Sequence, residues 1–406
     1  MKSFTVITLL SGLLAQFPIS SRSTSLTVVQ RQISPQAALE RLFTSPQVES
    51  DWFATSFLNQ VPLAQIQQII AQLQTDLGAY QRVQAEGDRY LVIFARGRVA
   101  AQIALDSQNQ IIGLLFQSAP EALTPEKAIA QLKTFPGEVN FLIAENGSQL
   151  AALNPDRPLA VGSTFKLAVL AALRKQIESN QRTWRDVVEL QSSWKSLPSG
   201  FLQSWPDESA LTLQTLATLM ISISDNTATD ALIRILGRES VEALSDRNQP
   251  FLTTRELFTL KAKANQELLQ RYRAANLAEK RQILTEIAQY PLPDIGATPF
   301  DGKPTALDIE WHFTPYELCK QMAGVADLPL MSVNPGGSLV NPKNWARVAY
   351  KGGSEPGVLN LTTWLEAKNG KSYCVVATWN NSDAALDEKR LYELYSSVIK
   401  GLETRN

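Results

Sequence analysis

Ser163-Thr-Phe-Lys166-Leu-Ala-Val-Leu-Ala-Ala-Leu173 reads as the opening of a long helix that is apolar almost all round. A helix of that kind packs inside a core. Spacing of three residues puts Ser163 and Lys166 on one helix face, with the amine in reach of the hydroxyl. Burial disfavours the ammonium form, so a lysine there becomes a neutral base able to take the serine proton. A Ser-x-x-Lys string also arises by chance about once in a chain this long. Taken alone it reads as an N-cap serine with a solvated lysine, so the decision rests on what surrounds it.

Two further strings bear on that decision. Ser224-Asp225-Asn226 joins an apolar helix, about Thr212 to Ile221, to the helical segment Thr227 to Leu236. Three polar residues between apolar helices make a capped turn. The same residues carry chemistry, since a serine hydroxyl relays a proton to a leaving group and an asparagine amide holds an acyl side chain. Asp225 braces the loop by local hydrogen bonds. Lys351-Gly352-Gly353 closes a strand, Ala346 to Lys351, and its glycines leave room for another backbone or a ligand alongside. A strand-end turn with an exposed lysine is the competing reading. Chance agreement of all three strings, in this order and each on a suitable element, is on the order of one per cent.

In order and spacing the strings resemble those of the penicillin-recognising serine hydrolases, and best those of class A β-lactamases, which carry Ser-x-x-Lys, Ser-Asp-Asn and Lys-Thr-Gly. The resemblance spans residues 125 to 406. It implies Ser163 as nucleophile, Lys166 as its base, Ser224 as proton relay and Asn226 as a substrate contact. It also implies that Lys351 supplies charge for a substrate carboxylate and helps keep Lys166 deprotonated. The oxyanion hole then combines the Ser163 amide with that of Ser354, beside Gly353 in the substrate site.

Two departures stand out. Gly352 replaces the family's Thr or Ser, removing a hydroxyl that helps bind the substrate carboxylate. The deacylating Glu-x-x-Leu-Asn string is absent. Glu256, in Phe251-Leu-Thr-Thr-Arg-Glu-Leu257, falls in the corresponding region, but it reads better as an exposed glutamate in the first turn of a helix capped by Thr253 or Thr254. Without such a base an acyl-enzyme forms quickly and hydrolyses slowly, as suits a penicillin-binding protein, or an esterase that activates water another way. His312 is the rival base. Thr314-Pro315 with Glu317 forms a helix start, which puts His312 in the preceding loop in a structural role.

The fold class expected is α/β and α+β: a β-lactamase-like domain, helical subdomain plus antiparallel sheet flanked by helices, behind a smaller α+β domain. Residues 1–22 read as a signal peptide, with Lys2 ahead of a short apolar run, shorter than the ~20 residues a membrane span needs. Export to the periplasm or exterior follows, and an uncleaved N-terminal anchor is the one membrane attachment left open. Residues 34–117 read as helices followed by strands Tyr90 to Ala95, Val99 to Leu105 and Ile111 to Phe116, with Trp52 and Phe53 in the core. Residues 118–125 form a linker and 126–406 the hydrolase domain, which ends in a strand Tyr373 to Trp379 and a helix Ala384 to Leu402. Charged helical sequence fills Thr254 to Tyr290. The front segment resembles that of the two-domain, clavulanate-pathway-type serine hydrolases, a steroid-isomerase-, polyketide-cyclase- or cystatin-like scaffold.

With 38 basic and 39 acidic residues, no global charge draws nucleic acid. A single histidine argues against a His-based zinc site, and no metal or organic cofactor is expected. Cys319 and Cys374 are either one bridge or two buried thiols. The partners expected are small molecules: a β-lactam, an ester or a peptidoglycan-like substrate. β-Lactam hydrolysis ranks first, esterase second and D-alanyl-D-alanine peptidase third; the reading of another class is a catalytically silent sensor or cell-wall binding protein.

Overall fold

The computed structural model describes residues 33–86, 89–118, 121–293 and 303–405. The segment read as a signal peptide lies outside the described residues. The chain divides after Pro120 into two compact units.

The first unit begins where Ser34 caps α1 (Pro35–Thr44), its hydroxyl accepting from the Ala37 amide with proline in the first turn. After α2 (Thr55–Leu58) and α3 (Leu63–Leu77) the chain runs through four antiparallel strands paired in sequence order: β1 (Tyr80–Glu86), β2 (Arg89–Phe94), β3 (Gly97–Leu105) and β4 (Ile111–Ser118). Ile66, Ile70 and Leu73, at helical spacing on α3, join Leu39, Leu42 and Phe43 of α1 in one apolar cluster with Val83, Val92, Phe94 and Val99 of the sheet. β1 is absent from the sequence reading because only Val83 of its seven residues is buried, so the run carries no apolar alternation. Phe53 is in the core; Trp52 sits at its edge, with the Arg41 guanidinium 4.3 Å above its ring.

The second unit is a five-stranded antiparallel sheet with helices on both faces. Its sequence supplies α4 (Pro125–Leu132), β5 (Glu138–Glu145), β6 (Ser148–Leu153), β7 (Leu159–Ala160), α5 (Lys166–Glu178), β8 (Val187–Glu189), β9 (Ala210–Thr212), α6 (Leu213–Ser222), α7 (Asn226–Leu236) and α8 (Arg238–Glu242). There follow α9 (Thr254–Lys261), α10 (Gln266–Ala274), α11 (Leu277–Ile287), β10 (His312–Phe313), α12 (Pro315–Ala323), β11 (Arg347–Glu355), β12 (Val358–Glu366), β13 (Ser372–Asn380) and α13 (Glu388–Glu403). The sheet order is β11-β12-β13-β5-β6, which leaves β11 on an edge. On one face Ala349, Cys374 and Val376 pack with α5, α6, α7 and α12; on the other Leu361, Val375 and Ala377 pack with α4 and α13. β12 is buried on both faces over almost its whole length, which removes the period-two pattern that marks a strand, and the sequence reading passes over it. Cys319 of α12 and Cys374 of β13 form a disulfide, Cα atoms 5.8 Å apart, joining one helix layer to the sheet.

Boundaries differ from expectation in several places, among them β11, which runs on through Gly352 and Gly353 to Glu355 where Lys351 to Gly353 was read as closing the strand. The helix read from Ser163 opens as a 3₁₀ turn, Gly162–Phe165, and becomes α-helical at Lys166. The last helix starts at Glu388, not Ala384. His312 is not in a loop: it pairs with Ala160 in the two-residue ladder β7/β10.

Candidate active site

Three elements bring the three strings together. The turn before α5 carries Ser163, the α6–α7 connection carries Ser224 to Asn226, and the edge strand β11 carries Lys351 to Ser354. Lys166 is wholly buried in the first turn of α5. Its Nζ donates to Asn226 Oδ1 at 2.6 Å and to the Ser224 carbonyl at 2.7 Å, and lies 3.2 Å from Ser163 Oγ and 3.0 Å from Ser224 Oγ. Burial, then the like charge of Lys351, holds Lys166 well below the ordinary lysine range. A neutral amine so placed offers one lone pair for a hydroxyl proton while its own N–H groups are engaged.

Lys351, also buried, places Nζ 3.1 Å from Ser224 Oγ and donates to the Gly352 carbonyl at 2.6 Å. Burial pushes it down to about 7. Ser224 Oγ therefore stands between two lysines. The backbone there is left-handed, φ 57°, an unfavourable conformation for serine that its neighbours enforce. Asp225 caps α7 by accepting from the Ala228 amide at 2.8 Å, and its other oxygen accepts from the amides of Phe201 and Leu202 at 2.8 and 2.9 Å. This is the bracing role read from its sequence position. Asn226 Nδ2 donates to the Leu197 carbonyl at 3.0 Å, which orients the amide oxygen towards Lys166.

The glycines of β11 set its distance from the Ser163 turn. A Cβ on Gly353 would stand 2.2 Å from the Val161 carbonyl and 2.5 Å from the Ser163 amide, so only glycine lets the strand lie against this turn. The Ser354 amide consequently faces Gly162, 3.2 Å from an ideal Cβ there. A Cβ on Gly352 would meet the Tyr350 hydroxyl at 2.2 Å, because that phenol fills the space over residue 352.

Residues 124–289 match the β-lactamase enzyme family. Among solved structures, a β-lactamase from Sphaerobacter thermophilus is 23% identical over 70% of this chain and 97% of its own, with a TM-score of 0.48. PBP-A is 17% identical over 70% and 99%, TM-score 0.44. A class A β-lactamase representative from Bacteroides cellulosilyticus gives the same figures, 17%, 70%, 99% and 0.44. No curated protein matches the chain. Helices flanking an antiparallel sheet make the second unit β-lactamase-like in fold, as the strings imply.

Glu256, the candidate deacylating base, is engaged by two arginines and its own helix cap. It is not exposed as expected: its side chain is 2% accessible. Its oxygens accept from Arg238 at 2.6 and 2.9 Å, from Arg234 at 3.3 Å and, in a capping box, from the Thr253 amide at 2.8 Å. None of its hydrogen bonds reaches Ser163, Lys166 or Asn226. His312 hydrogen-bonds through Nδ1 to the Glu310 carbonyl at 2.8 Å and makes no hydrogen bond to a serine among the described residues. Burial holds its ring below the ordinary histidine range.

Two groups escaped the sequence reading. Asp230, one turn beyond Asn226, accepts from the Thr254 amide and hydroxyl at 2.7 and 2.9 Å and from the Arg255 amide at 2.8 Å, tying the start of α9 to α7; burial pushes its carboxyl up to about 7. Its spacing of four from Asn226 was the available signal. Lys261, Glu310 and Glu355 form a buried ionic cluster at the end of β11, assembled from distant stretches that no local pattern connects. Among the described residues no group of three His, Cys, Asp or Glu side chains is placed to hold a metal, and no helix is long and apolar enough to cross a membrane.

Proposed function

We propose that this chain is an exported serine hydrolase that cleaves an amide or ester through an acyl-Ser163 intermediate, with a β-lactam as the first substrate class. One observation carries the reading: the buried Lys166 amine sits within hydrogen-bonding distance of both Ser163 Oγ and Ser224 Oγ. Lys166 takes the Ser163 proton as Oγ attacks the carbonyl carbon. The Ser163 and Ser354 amides face the oxygen on which charge develops. When the tetrahedral intermediate collapses, Ser224 hands its proton to the leaving group and is reprotonated through Lys166. Lys351 polarises Ser224 and presents positive charge to an anionic substrate group; Asn226 orients Lys166 and faces the acyl side chain. The first unit, a steroid-isomerase- or polyketide-cyclase-like fold in this reading, serves as scaffold.

A second reading has a specific observation behind it. Glu256 is bound to Arg238, and a glutamate so engaged favours a long-lived acyl-enzyme, the behaviour of a penicillin-binding protein or sensor. Esterase activity and D-alanyl-D-alanine peptidase activity use the same acyl-serine step.

Intact-protein mass spectrometry after incubation with penicillin G, followed over time, tests this. The expected result is a stoichiometric adduct on the parent and none on Ser163→Ala. Decay of the adduct identifies a hydrolase and persistence a binding protein. Equal labelling of parent and variant removes Ser163 from the mechanism.

A further inference from the structure

Side chains alternate across a strand, so Lys351, Gly353 and Glu355 share one face of β11, the face that meets the Ser163 turn. Glu355 is the last residue of the strand and directly follows Ser354. β11 is an edge strand, and past Ser354 only the Glu355–Val358 rung holds it before the turn at Gly357. A strand end with one neighbour frays. Here an ionic cluster stands against that: Lys261 Nζ, at the end of α9, donates to Glu355 Oε2 at 2.7 Å and also to Glu310 Oε1. Lys261 and Glu310 are almost inaccessible, and Glu355 keeps 14% of its side-chain surface.

Two carboxylates and one ammonium in the interior leave an excess negative charge, which a bound proton relieves. Glu310 Oε2 is buried with no hydrogen-bond partner among the described residues. Burial, and after it the Glu355 charge, pushes the Glu310 carboxyl up to about 8; burial raises Glu355 as well, but Lys261 and Glu310 together outweigh it and hold that carboxyl below its ordinary value. A proton held on Glu310 would leave one ammonium against one carboxylate, the balance a buried cluster favours.

We infer that Lys261 and Glu310 are positioning residues which, through Glu355, pin the end of β11 and so hold the Ser354 amide beside Ser163. The inference rests on the acyl-serine reading for its catalytic consequence and on the cluster's geometry for its structural one. The full chain is compared with Lys261→Met, Glu310→Gln and Glu355→Gln. Acylation is followed with penicillin G and with a fluorophosphonate probe, and hydrogen exchange is followed over residues 351–355. Lys261→Met is expected to lower the limiting acylation rate at least about tenfold while the half-saturating concentration moves less than about threefold, since an oxyanion donor acts on the transition state. Its exchange over 351–355 rises while that of α5 does not. Glu310→Gln, whose amide oxygen still accepts from Lys261 and adds no charge to the cluster, keeps both properties. Unchanged exchange in Lys261→Met overturns the inference, as does damage by Glu310→Gln equal to that of Lys261→Met. Should Lys261→Met not fold, Glu355→Gln decides on the same two readouts. If neither probe labels the parent, or both label Ser163→Ala equally, the acyl-serine reading falls and exchange alone judges the pin.

Discussion

In the proposed acyl-serine reaction Lys166 is the base, and its state follows from where it is buried more than from what is near it. Desolvation outranks the Lys351 charge among the causes that depress it. Lys351→Met is therefore expected to move the acid limb of acylation by no more than about one pH unit, whereas Lys166→Arg, which keeps the charge and cannot release a proton, costs about a hundredfold to ten-thousandfold in acylation rate. Pre-steady-state labelling across pH 5 to pH 9 checks both. Lys351 also makes a stability prediction. Its folded value of about 7 lies below its unfolded value, so between the two the unfolded chain binds more protons and stability rises with pH. Lys351→Met loses this share of the rise, up to about 4 kcal/mol between pH 7 and pH 10, and keeps only the part that Lys166 supplies. Urea midpoints at both pH values measure it; an undiminished rise means that the Lys351 ammonium is solvated.

At the scale of elements, the contact between β11 and the turn before α5 is the sensitive one. Gly353→Ala sets a methyl group against the Val161 carbonyl and the Ser163 amide. The strand must withdraw, the Ser354 amide with it, and acylation is expected to fall by about a hundredfold or more. Circular dichroism should still report a folded chain, because the collision is confined to an edge strand; a variant that acylates at the parent rate places the oxyanion donors elsewhere. The disulfide between α12 and β13 closes a span of 55 residues. Replacing both cysteines by alanine is expected to cost about 2–4 kcal/mol of stability in denaturant titrations, with adduct formation retained by the protein that remains folded.

Over the whole molecule every residue given a part in the proposed reaction lies in the second unit, so a chain beginning at Glu121 is expected to acylate Ser163 within about threefold of the parent rate if that unit is a self-contained domain. Loss of labelling by a folded truncation would assign the first unit a part in the reaction. What the sequence made legible was the set of local features: the helix start at Thr314-Pro315, the apolar helix after Ser163, and the three strings on their elements. Hidden were features that burial on both sides or distance along the chain conceals. β12 has no alternation because neither face is wet. Glu256 reads as a surface residue until α8 supplies Arg238 to cover it. The partners of Glu355 come from positions 261 and 310, and nothing in the run after Gly353 announces them.

The Tyr350 phenol over Gly352 links two positions in any history of change at this strand. Restoring a threonine or serine at 352 alone drives its Cβ into the phenol oxygen, so the Tyr350 ring must shift to admit it. Trimming Tyr350 first opens the space and makes the second step harmless. The two substitutions are thus coupled: a side chain at position 352 is expected to cost more beside Tyr350 than beside a trimmed residue there, so a lineage or a laboratory library that samples both positions together reaches combinations that single changes at 352 disfavour.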